Sequence, residues 1–230
     1  MQKTTQQEMQ TAIAASDLYQ LLAMWLQLPT REIAAGLLNG SLAEDVLAIF
    51  DELGFPAHLQ KGLKSVFSQI QEESKSQEEL FSDLRKEYTR LFTHPKQPQI
   101  HIYESLFLFN PEGDEARPSL FISPAALDAE RCYKKAGVAR AKEVNEPGDH
   151  MATEMEFMMF LYLQKAKALQ EGDRTEVERR GKEIQEFYEI HLQKWAKEFF
   201  ARCSTLSEHP FFKTVGEIGS IFMKEMLPAH

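Results

Sequence analysis

The sequence predicts an all-α protein, a single bundle of about nine or ten helices. Three observations lead to this prediction. Apolar residues recur at intervals of three and four along most of the 230-residue chain, which is the spacing of one helix face. Residues that cap helix N-termini precede several of these stretches. The alternation of apolar and polar residues that is typical of half-buried strands is scarce, so we expect helices packed around a common core.

The first part of the chain predicts four amphipathic helices. The first covers the apolar pattern of residues 13–28 and ends before Pro29, because proline disfavours helical backbone in the residue that precedes it. Residues 41–44 (Ser-Leu-Ala-Glu) and 76–79 (Ser-Gln-Glu-Glu) have the form of capping boxes, and each should open a helix. Between them, residues 57–72 repeat apolar side chains at helical spacing.

Residues 93–124 then predict an irregular connection. Five prolines interrupt this segment, and a compact apolar and aromatic island at residues 102–109 lies between them. A connection of this length without regular structure is usually functional or disordered. Because the island is rich in apolar side chains, we expect it to be ordered.

Three further helices are predicted after this connection. Ser123 followed by proline indicates an N-cap with proline at the first helical position, and this helix should run to Gly137. The next helix follows a turn at residues 146–150 and runs to about residue 170. Asp173 opens a longer helix, again with the form of a capping box, which continues through Phe200.

A last helix is predicted after Pro210. Gly216 and Gly219 lie within its apolar pattern, where the missing side chains favour close approach of another helix. Its apolar face carries Phe211, Phe212, Val215, Ile218, Phe222 and Met226.

We expect one all-helical domain that spans residues 1–230. Within it, the sequence allows an N-terminal part (1–92), the irregular connection (93–124) and a C-terminal helical part (125–230). This length is enough to bury one sizeable core.

Composition excludes several classes of function. Hydrophobic residues make up 43% and charged residues 27%, which are ordinary values for a globular protein. The net charge of −9 argues against nonspecific binding of nucleic acid and favours a basic partner.

Cys132 and Cys203 are widely separated, which suggests two reduced thiols. The N-terminus has no signal-peptide pattern and the apolar stretches are too short to span a bilayer, so we expect a cytoplasmic protein without stable membrane insertion.

The most informative stretch is the turn at residues 146–150 (Glu-Pro-Gly-Asp-His). Asp149 is predicted to be the N-cap of the following helix, whose apolar face repeats methionine. Asp149 and His150 would then lie at the mouth of a helix, where they could meet a partner. The alternative is that Asp149 only caps the helix and that His150 pairs with Glu154 one turn on.

Motifs for catalysis and cofactors are absent from the sequence. We find no nucleophile elbow, no His-Glu-x-x-His, no Glu-x-x-His and neither glycine-rich phosphate-binding motif. The set Asp149, His150 and Glu154 nevertheless has side chains that could hold a metal. We therefore expect no catalytic residues, no resident cofactor and no metal, and we keep a metal-binding or hydrolytic role for that set as the alternative.

Three separated segments together resemble the TorD/DmsD/NarJ-type chaperones that mature molybdenum-containing oxidoreductases. They are residues 87–92 (Glu-Tyr-Thr-Arg-Leu-Phe) with Pro95, residues 103–107 (Tyr-Glu-Ser-Leu-Phe), and residues 146–150 with 154–158 (Glu-Met-Glu-Phe-Met). The resemblance covers roughly residues 80–165. One departure is Tyr103, where some members carry tryptophan, and it affects the choice of client more than the class.

The resemblance implies a TorD-like cytoplasmic chaperone of anaerobic respiration, and not an enzyme. Such a protein binds an apo-oxidoreductase, often through its twin-arginine signal peptide, and delays its export until the molybdenum cofactor is inserted. Glu146 and Asp149 would accept hydrogen bonds from the leader's arginines, with His150 as a further polar contact on a turn shaped by Pro147. The remaining predicted peptide-binding residues are Tyr88, Phe92, Tyr103, Ser105, Leu106, Phe107, Met151 and Met155; Tyr88 and Phe92 could equally be core.

Several features stay open at this level. The chain could be a monomer or a homodimer, and the client could be held by its leader or by its mature part. Some family members are associated with guanine nucleotide or with the molybdenum cofactor, but no motif here supports either. A second alternative is a regulatory helical interaction module whose partner is not an export substrate.

Overall fold

The computed structural model describes residues 4–73, 76–113, 116–139 and 146–225, and these residues form an all-α bundle, which confirms the predicted fold class. Within these ranges the extended backbone pairs at one isolated antiparallel bridge, between Tyr103 and His150. Two π-helical turns, Thr89–Thr93 and Tyr188–Leu192, continue or join α-helical segments, so that the described residues make ten continuous helices. The α-helical segments are α1 (Thr5–Trp25), α2 (Arg31–Asn39), α3 (Ser41–Glu52), α4 (Ala57–Glu73), α5 (Gln77–Tyr88), α6 (Glu104–Phe107), α7 (Pro124–Lys135), α8 (Met151–Glu171), α9 (Arg174–Phe187), α10 (Gln193–Leu206) and α11 (Pro210–Glu225).

Side-chain caps define several of the predicted helix starts. Ser76, Ser123 and Asp173 each accept a hydrogen bond from the backbone N–H three residues further on, at 3.2, 3.1 and 3.0 Å. These contacts satisfy N–H groups that a helix cannot pair internally. The starts of α5, α7 and α9 are therefore confirmed.

Two predictions about the N-terminal helices were wrong. Helix α2 was not predicted, although Thr30 caps it by accepting the N–H of Ile33. Its presence leaves no room for a capping box at Ser41, which is instead the first residue of α3. The N-cap of α3 is Gly40, whose φ of +86° ends α2 in a left-handed conformation that glycine adopts without strain.

The bundle is built on two close helix pairs. Helix α1 packs along α8, and α10 packs along α11, while α2, α3 and α4 contact one another at the N-terminal side. The second pair is close because Gly216 and Gly219 face α10: a Cβ at Gly216 would overlap the backbone of Ser204, and one at Gly219 would overlap the ring of Phe200. The close packing predicted for these glycines is confirmed, while Met226 of the same predicted helix lies outside the described residues.

One cluster of buried apolar side chains draws on helices from both ends of the chain. Its centre is aromatic, with Phe92 stacked on Phe199 at 5.9 Å and Trp25 edge-on to Phe211 at 5.6 Å. Such ring pairs add to the free energy gained from area burial. The division of the chain at residues 93–124 stays a prediction.

No single helix of the described ranges has both the length and the hydropathy to cross a bilayer. The bent pair α2 and α3, whose axes meet at 75°, passes that test together by length and composition.

Candidate functional site

The two most distinctive sequence segments meet in space. Residues 102–105 lie antiparallel to residues 149–151, and three backbone N–H groups hold them together: Glu104 N–H donates to Asp149 O at 2.9 Å, Met151 N–H donates to Ile102 O at 2.9 Å, and Ser105 N–H donates to Asp149 Oδ2 at 3.0 Å. We call this contact the 102–105/149–151 junction. It places the short helix α6 directly beside the N-terminus of α8.

His150, and not Asp149, is the N-cap of α8. Its Nδ1 accepts the N–H of Ala152 at 3.1 Å, and its ring packs edge-on against Tyr103 at 5.2 Å. Burial lowers the pKa of His150 to about 4, so the ring is neutral near pH 7 and Nδ1 keeps the lone pair that the cap requires. The predicted capping role of Asp149 was wrong because its carboxylate is turned to Ser105 of the other segment.

The acid and imidazole of this turn are inside the protein. Asp149 is 0% exposed and His150 is 5% exposed, because the junction covers both. Burial raises the pKa of Asp149, and its hydrogen bonds from Ser105 oppose that shift. The prediction that both side chains are displayed to a partner is therefore corrected: they hold the junction together.

Most of the predicted apolar contact residues are also core. Met151 and Met155 are fully buried on the inner face of α8, and Leu106 and Pro147 are buried beside them. The predicted apolar trough does not include these methionines, because the face of α8 that carries them packs on the rest of the bundle.

Residues 87–92, the first of the three segments singled out in the sequence, stabilise the fold. Tyr88 donates its hydroxyl proton to Leu26 O at 3.1 Å, and Phe92 lies in the aromatic centre, so both belong to the core, as the sequence allowed. Glu87 forms a two-point ion pair with Arg90 and accepts the N–H of Glu208 at 2.6 Å. It therefore ties this segment to the loop before α11.

Four predicted site residues reach the surface wholly or in part: Glu146, Tyr103, Ser105 and Phe107. Tyr103 donates its hydroxyl proton to Glu146 Oε2 at 2.7 Å, which joins the two segments a second time. Phe107 lies under the guanidinium of Arg202, 4.7 Å from its ring centre. The sequence prediction selected the segments that do meet in the structure. Several of the residues that it chose within them, however, have buried side chains.

The turn also rests on α7, through a glycine. A Cβ at Gly148 would lie 2.8 Å from Ala126 O and 3.0 Å from the side chain of Glu130. Tyr133 of α7 donates its hydroxyl proton to Gly148 O at 2.6 Å. Only glycine allows the turn to approach this closely, so Gly148 fixes the distance between α7 and the junction.

An acidic cluster lies behind the junction. Glu104 Oε2 is 2.7 Å from His191 Nδ1, and Trp195 donates to Glu154 Oε2 at 3.1 Å. Burial, followed by the nearby carboxylates of Glu104 and Asp149, raises the pKa of Glu154 well above its ordinary value, which favours the neutral acid. Sequence reasoning missed the role of His191 because 87 positions separate it from Glu104.

A groove of about 820 Å³ opens beside this cluster. Its polar lining comprises Glu104, Ser105, Asp128, Arg131, His191 and Lys194. Its apolar lining comes from the irregular connection and the start of α7: Leu108, Phe109, Ala116, Pro118, Pro124 and Ala125. Further exposed apolar side chains lie on the same stretch of chain, namely Phe121, Ile122 and Leu127.

Two groups of side chains in the described ranges have ligand atoms within 4.8 Å of one another, close enough to hold a metal ion. One is Glu104, Glu154 and His191, and the other is Asp128, Cys132 and His191. The metal set considered from the sequence, Asp149, His150 and Glu154, does not converge in this way, because each of the three is directed to a different partner.

Comparison with protein families identifies a family for this chain. A family model described as nitrate reductase delta subunit matches residues 35–201, which include all three segments and the groove. A search of curated proteins found no significant match.

Proposed function

Because the chain belongs to the nitrate reductase delta subunit family, whose members are chaperones for the maturation of molybdoenzymes, we propose that it binds an apo-molybdoenzyme in the cytoplasm and releases it after cofactor insertion. The client would be recognised by its twin-arginine signal peptide, by its mature part, or by both. This role needs a surface that accepts an extended or helical apolar segment next to positive charge. It needs no catalytic group.

The groove beside α6 and α7 is the observation that carries this proposal. It combines an apolar wall with carboxylates and opens to solvent next to exposed aliphatic and aromatic side chains. Ile122 is 69% exposed, which is unusual for a large aliphatic residue without a partner. We assign the apolar stretch of the leader to Leu108, Phe109 and Ile122.

Acidic side chains around the groove suit the leader's two arginines. Asp128 lines the groove, where a leader arginine would share its carboxylate with Arg131, 2.9 Å from Oδ1. Glu146 lies on the outer side of the junction, where Tyr103 orients its carboxylate. A guanidinium forms forked hydrogen bonds with a carboxylate. The net charge of −9 also favours the approach of a basic leader. Of the residues predicted from sequence, we retain Glu146, Tyr103, Ser105 and Phe107 as direct contacts.

Magnitudes suggest that apolar contact sets the affinity. Burial of about 400 Å² of leader surface yields roughly 10 kcal/mol before association and ordering costs are subtracted. Each partly exposed pair of arginine and carboxylate adds about 0–1 kcal/mol. The acids would therefore determine the register and the choice of partner.

The test is the affinity for a synthetic twin-arginine leader of a molybdenum oxidoreductase, measured by titration calorimetry. Leu108→Ser should raise the dissociation constant about tenfold, because it removes an exposed aliphatic side chain from the lining of the groove. Leu163→Ser is the matched control, since Leu163 is exposed on α8 and does not line the groove. A twin-lysine version of the peptide should bind more weakly than the twin-arginine one.

Equal loss of affinity in Leu108→Ser and Leu163→Ser would contradict the assignment of the groove. Failure of every leader to bind, with capture of the full-length apo-oxidoreductase retained, would move recognition to the client's mature part. Failure of both would favour the regulatory interaction module considered from the sequence.

A further inference from the structure

Three potential metal ligands meet where α7 faces the second π-helical turn. Asp128 and Cys132 are four residues apart, so they lie on the same face of α7. His191 approaches them from the turn Tyr188–Leu192, with Nε2 3.4 Å from Asp128 Oδ2. One oxygen, one sulfur and one nitrogen all lie within 4.8 Å of one another.

The orientation of His191 is that of a metal ligand. Its Nδ1 lies 2.7 Å from Glu104 Oε2, and in the tautomer that donates to this carboxylate the proton is on Nδ1. The lone pair is then on Nε2, which points to Asp128 and Cys132. Metal-binding histidines usually have such a second partner on the far ring nitrogen, because it fixes the tautomer and raises the basicity of the ligand.

Nε2 of His191 is also an unpaired polar atom in the interior. The side chain is 2% exposed, and within the described part of the chain Nε2 forms no hydrogen bond. A buried polar atom without a partner costs free energy, so its presence calls for an explanation. Its position in a π-helical turn, a feature that is frequent at functional sites, agrees with a ligand-binding role.

We propose that Asp128, Cys132 and His191 bind one divalent transition-metal ion, with Glu104 as the positioning residue for His191. Mixed oxygen, nitrogen and sulfur donors are typical of zinc sites and disfavour magnesium and calcium. Three protein ligands leave a fourth position, and it faces the groove, which Asp128 and His191 line. Because Asp128 and His191 also line the groove, the ion and a leader peptide would share this surface, so the site is tested on the protein without a leader.

Binding must displace a proton. Cysteine binds a metal ion as the thiolate, so the Cys132 thiol has to lose its proton when the ion binds. Formation of the metal–sulfur bond breaks the S–H bond and releases one proton to solvent. No oxidation or reduction accompanies this step.

Cobalt titration of the full-length, chelator-treated protein tests the site. Co²⁺ replaces zinc at such sites and gives an absorption band for charge transfer from thiolate. We expect saturation at one equivalent, the thiolate band, and release of about one proton per ion. Competition with Zn²⁺ should remove the band.

Variants distinguish this site from adventitious binding. Cys132→Ser should abolish the thiolate band and weaken binding at least about tenfold, whereas Cys203→Ser, at a buried cysteine of α10, should leave both unchanged. Glu104→Gln should keep the band but weaken binding roughly 10- to 100-fold. Thermal melts would show that each variant is folded.

Two results would overturn the proposal. One is absence of stoichiometric binding by the wild-type protein. The other is binding without a thiolate band, or binding that Cys132→Ser and Asp128→Asn leave unchanged, which would place the ion elsewhere.

Discussion

His150 shows how a single titratable residue depends on the fold. Its neutral ring caps α8 and packs against Tyr103 in the interior. Protonation would place a charge in an apolar site and remove the lone pair on Nδ1 that accepts the Ala152 N–H. The residue therefore couples the start of α8 to pH.

We predict that His150→Asn removes part of the acid sensitivity of the fold. The pKa of His150 is about 4 in the folded protein and 6.5 ordinarily, so the unfolded chain takes up the proton first as the pH falls. The wild-type protein should lose up to about 3 kcal/mol of unfolding free energy between pH 6.5 and pH 4 from this residue. Asparagine keeps an N-cap acceptor and does not titrate, so its loss over that range should be smaller.

Urea denaturation across this pH range measures the difference. His150→Ala is the companion variant: it removes both the cap and the titration, and should cost about 1 kcal/mol at neutral pH through the missing cap. Parallel pH profiles for the wild type and His150→Asn would show that the ring is not buried in its neutral form.

At the scale of helices, the approach of α11 to α10 depends on the absence of two side chains. Gly216 leaves room only for hydrogen, since a Cβ there would overlap the backbone of Ser204 and lie 2.6 Å from Phe200 O. Backbone atoms cannot rotate away as a side chain can. Any larger residue must therefore separate the two helices along their length.

We predict that Gly216→Ala lowers the unfolding free energy by about 1–3 kcal/mol, because overpacking forces α10 and α11 apart. Gly181→Ala is the matched control. Gly181 lies inside α9, and a methyl group there would meet no atom within 4 Å, so alanine should stabilise the helix by up to about 1 kcal/mol. Thermal and urea unfolding of both variants measure this; a Gly216→Ala protein as stable as Gly181→Ala would refute the close approach.

Helices were predicted well where a local signal exists. Caps such as Ser76, Ser123 and Asp173 act within one turn, so they can be recognised in the sequence. The π-helical turns were not predicted, because the insertion of one residue into the hydrogen-bond ladder depends on packing by distant segments. Helix α2 was missed although its cap, Thr30, was present.

The site was predicted only in part, for a related reason. Segments 102–107 and 146–150 carry distinctive residues, and the structure does bring them together. Which of their side chains face inward depends on the junction between them, whose pairing has no sequence signature. Asp149 and Met155 were consequently assigned to the surface, and His191 was not considered.

At the scale of the whole molecule, ionisable groups in the interior limit the pH range of stability from both sides. His150 favours the folded state less as the pH falls. Glu154 acts in the opposite direction: its pKa is raised in the folded state, so its contribution is complete below its ordinary pKa of 4.5 and is lost as the pH rises through the folded-state value. The two contributions therefore oppose each other between pH 4.5 and pH 6.5, and above pH 6.5 only the loss from Glu154 continues.

We predict that Glu154→Gln widens this range on the alkaline side. Glutamine resembles the protonated acid: its carbonyl can accept from Trp195, and its amide can donate to Glu104. The variant should match the wild type below pH 4.5 and lose less unfolding free energy as the pH rises above that value. Denaturation curves collected from pH 4.5 upward test this, and Glu171→Gln, at an exposed acid at the end of the same helix, controls for general charge removal.

The 102–105/149–151 junction has a consequence for variation among related proteins. Its main ties are main-chain hydrogen bonds, and these do not depend on the identity of the side chains that flank them. A change such as tryptophan in place of Tyr103 would alter the surface that a client contacts. The main-chain hydrogen bonds of the junction beneath it would remain. The junction therefore allows related proteins to differ in the client they bind while the positions of α6 and α8 stay the same.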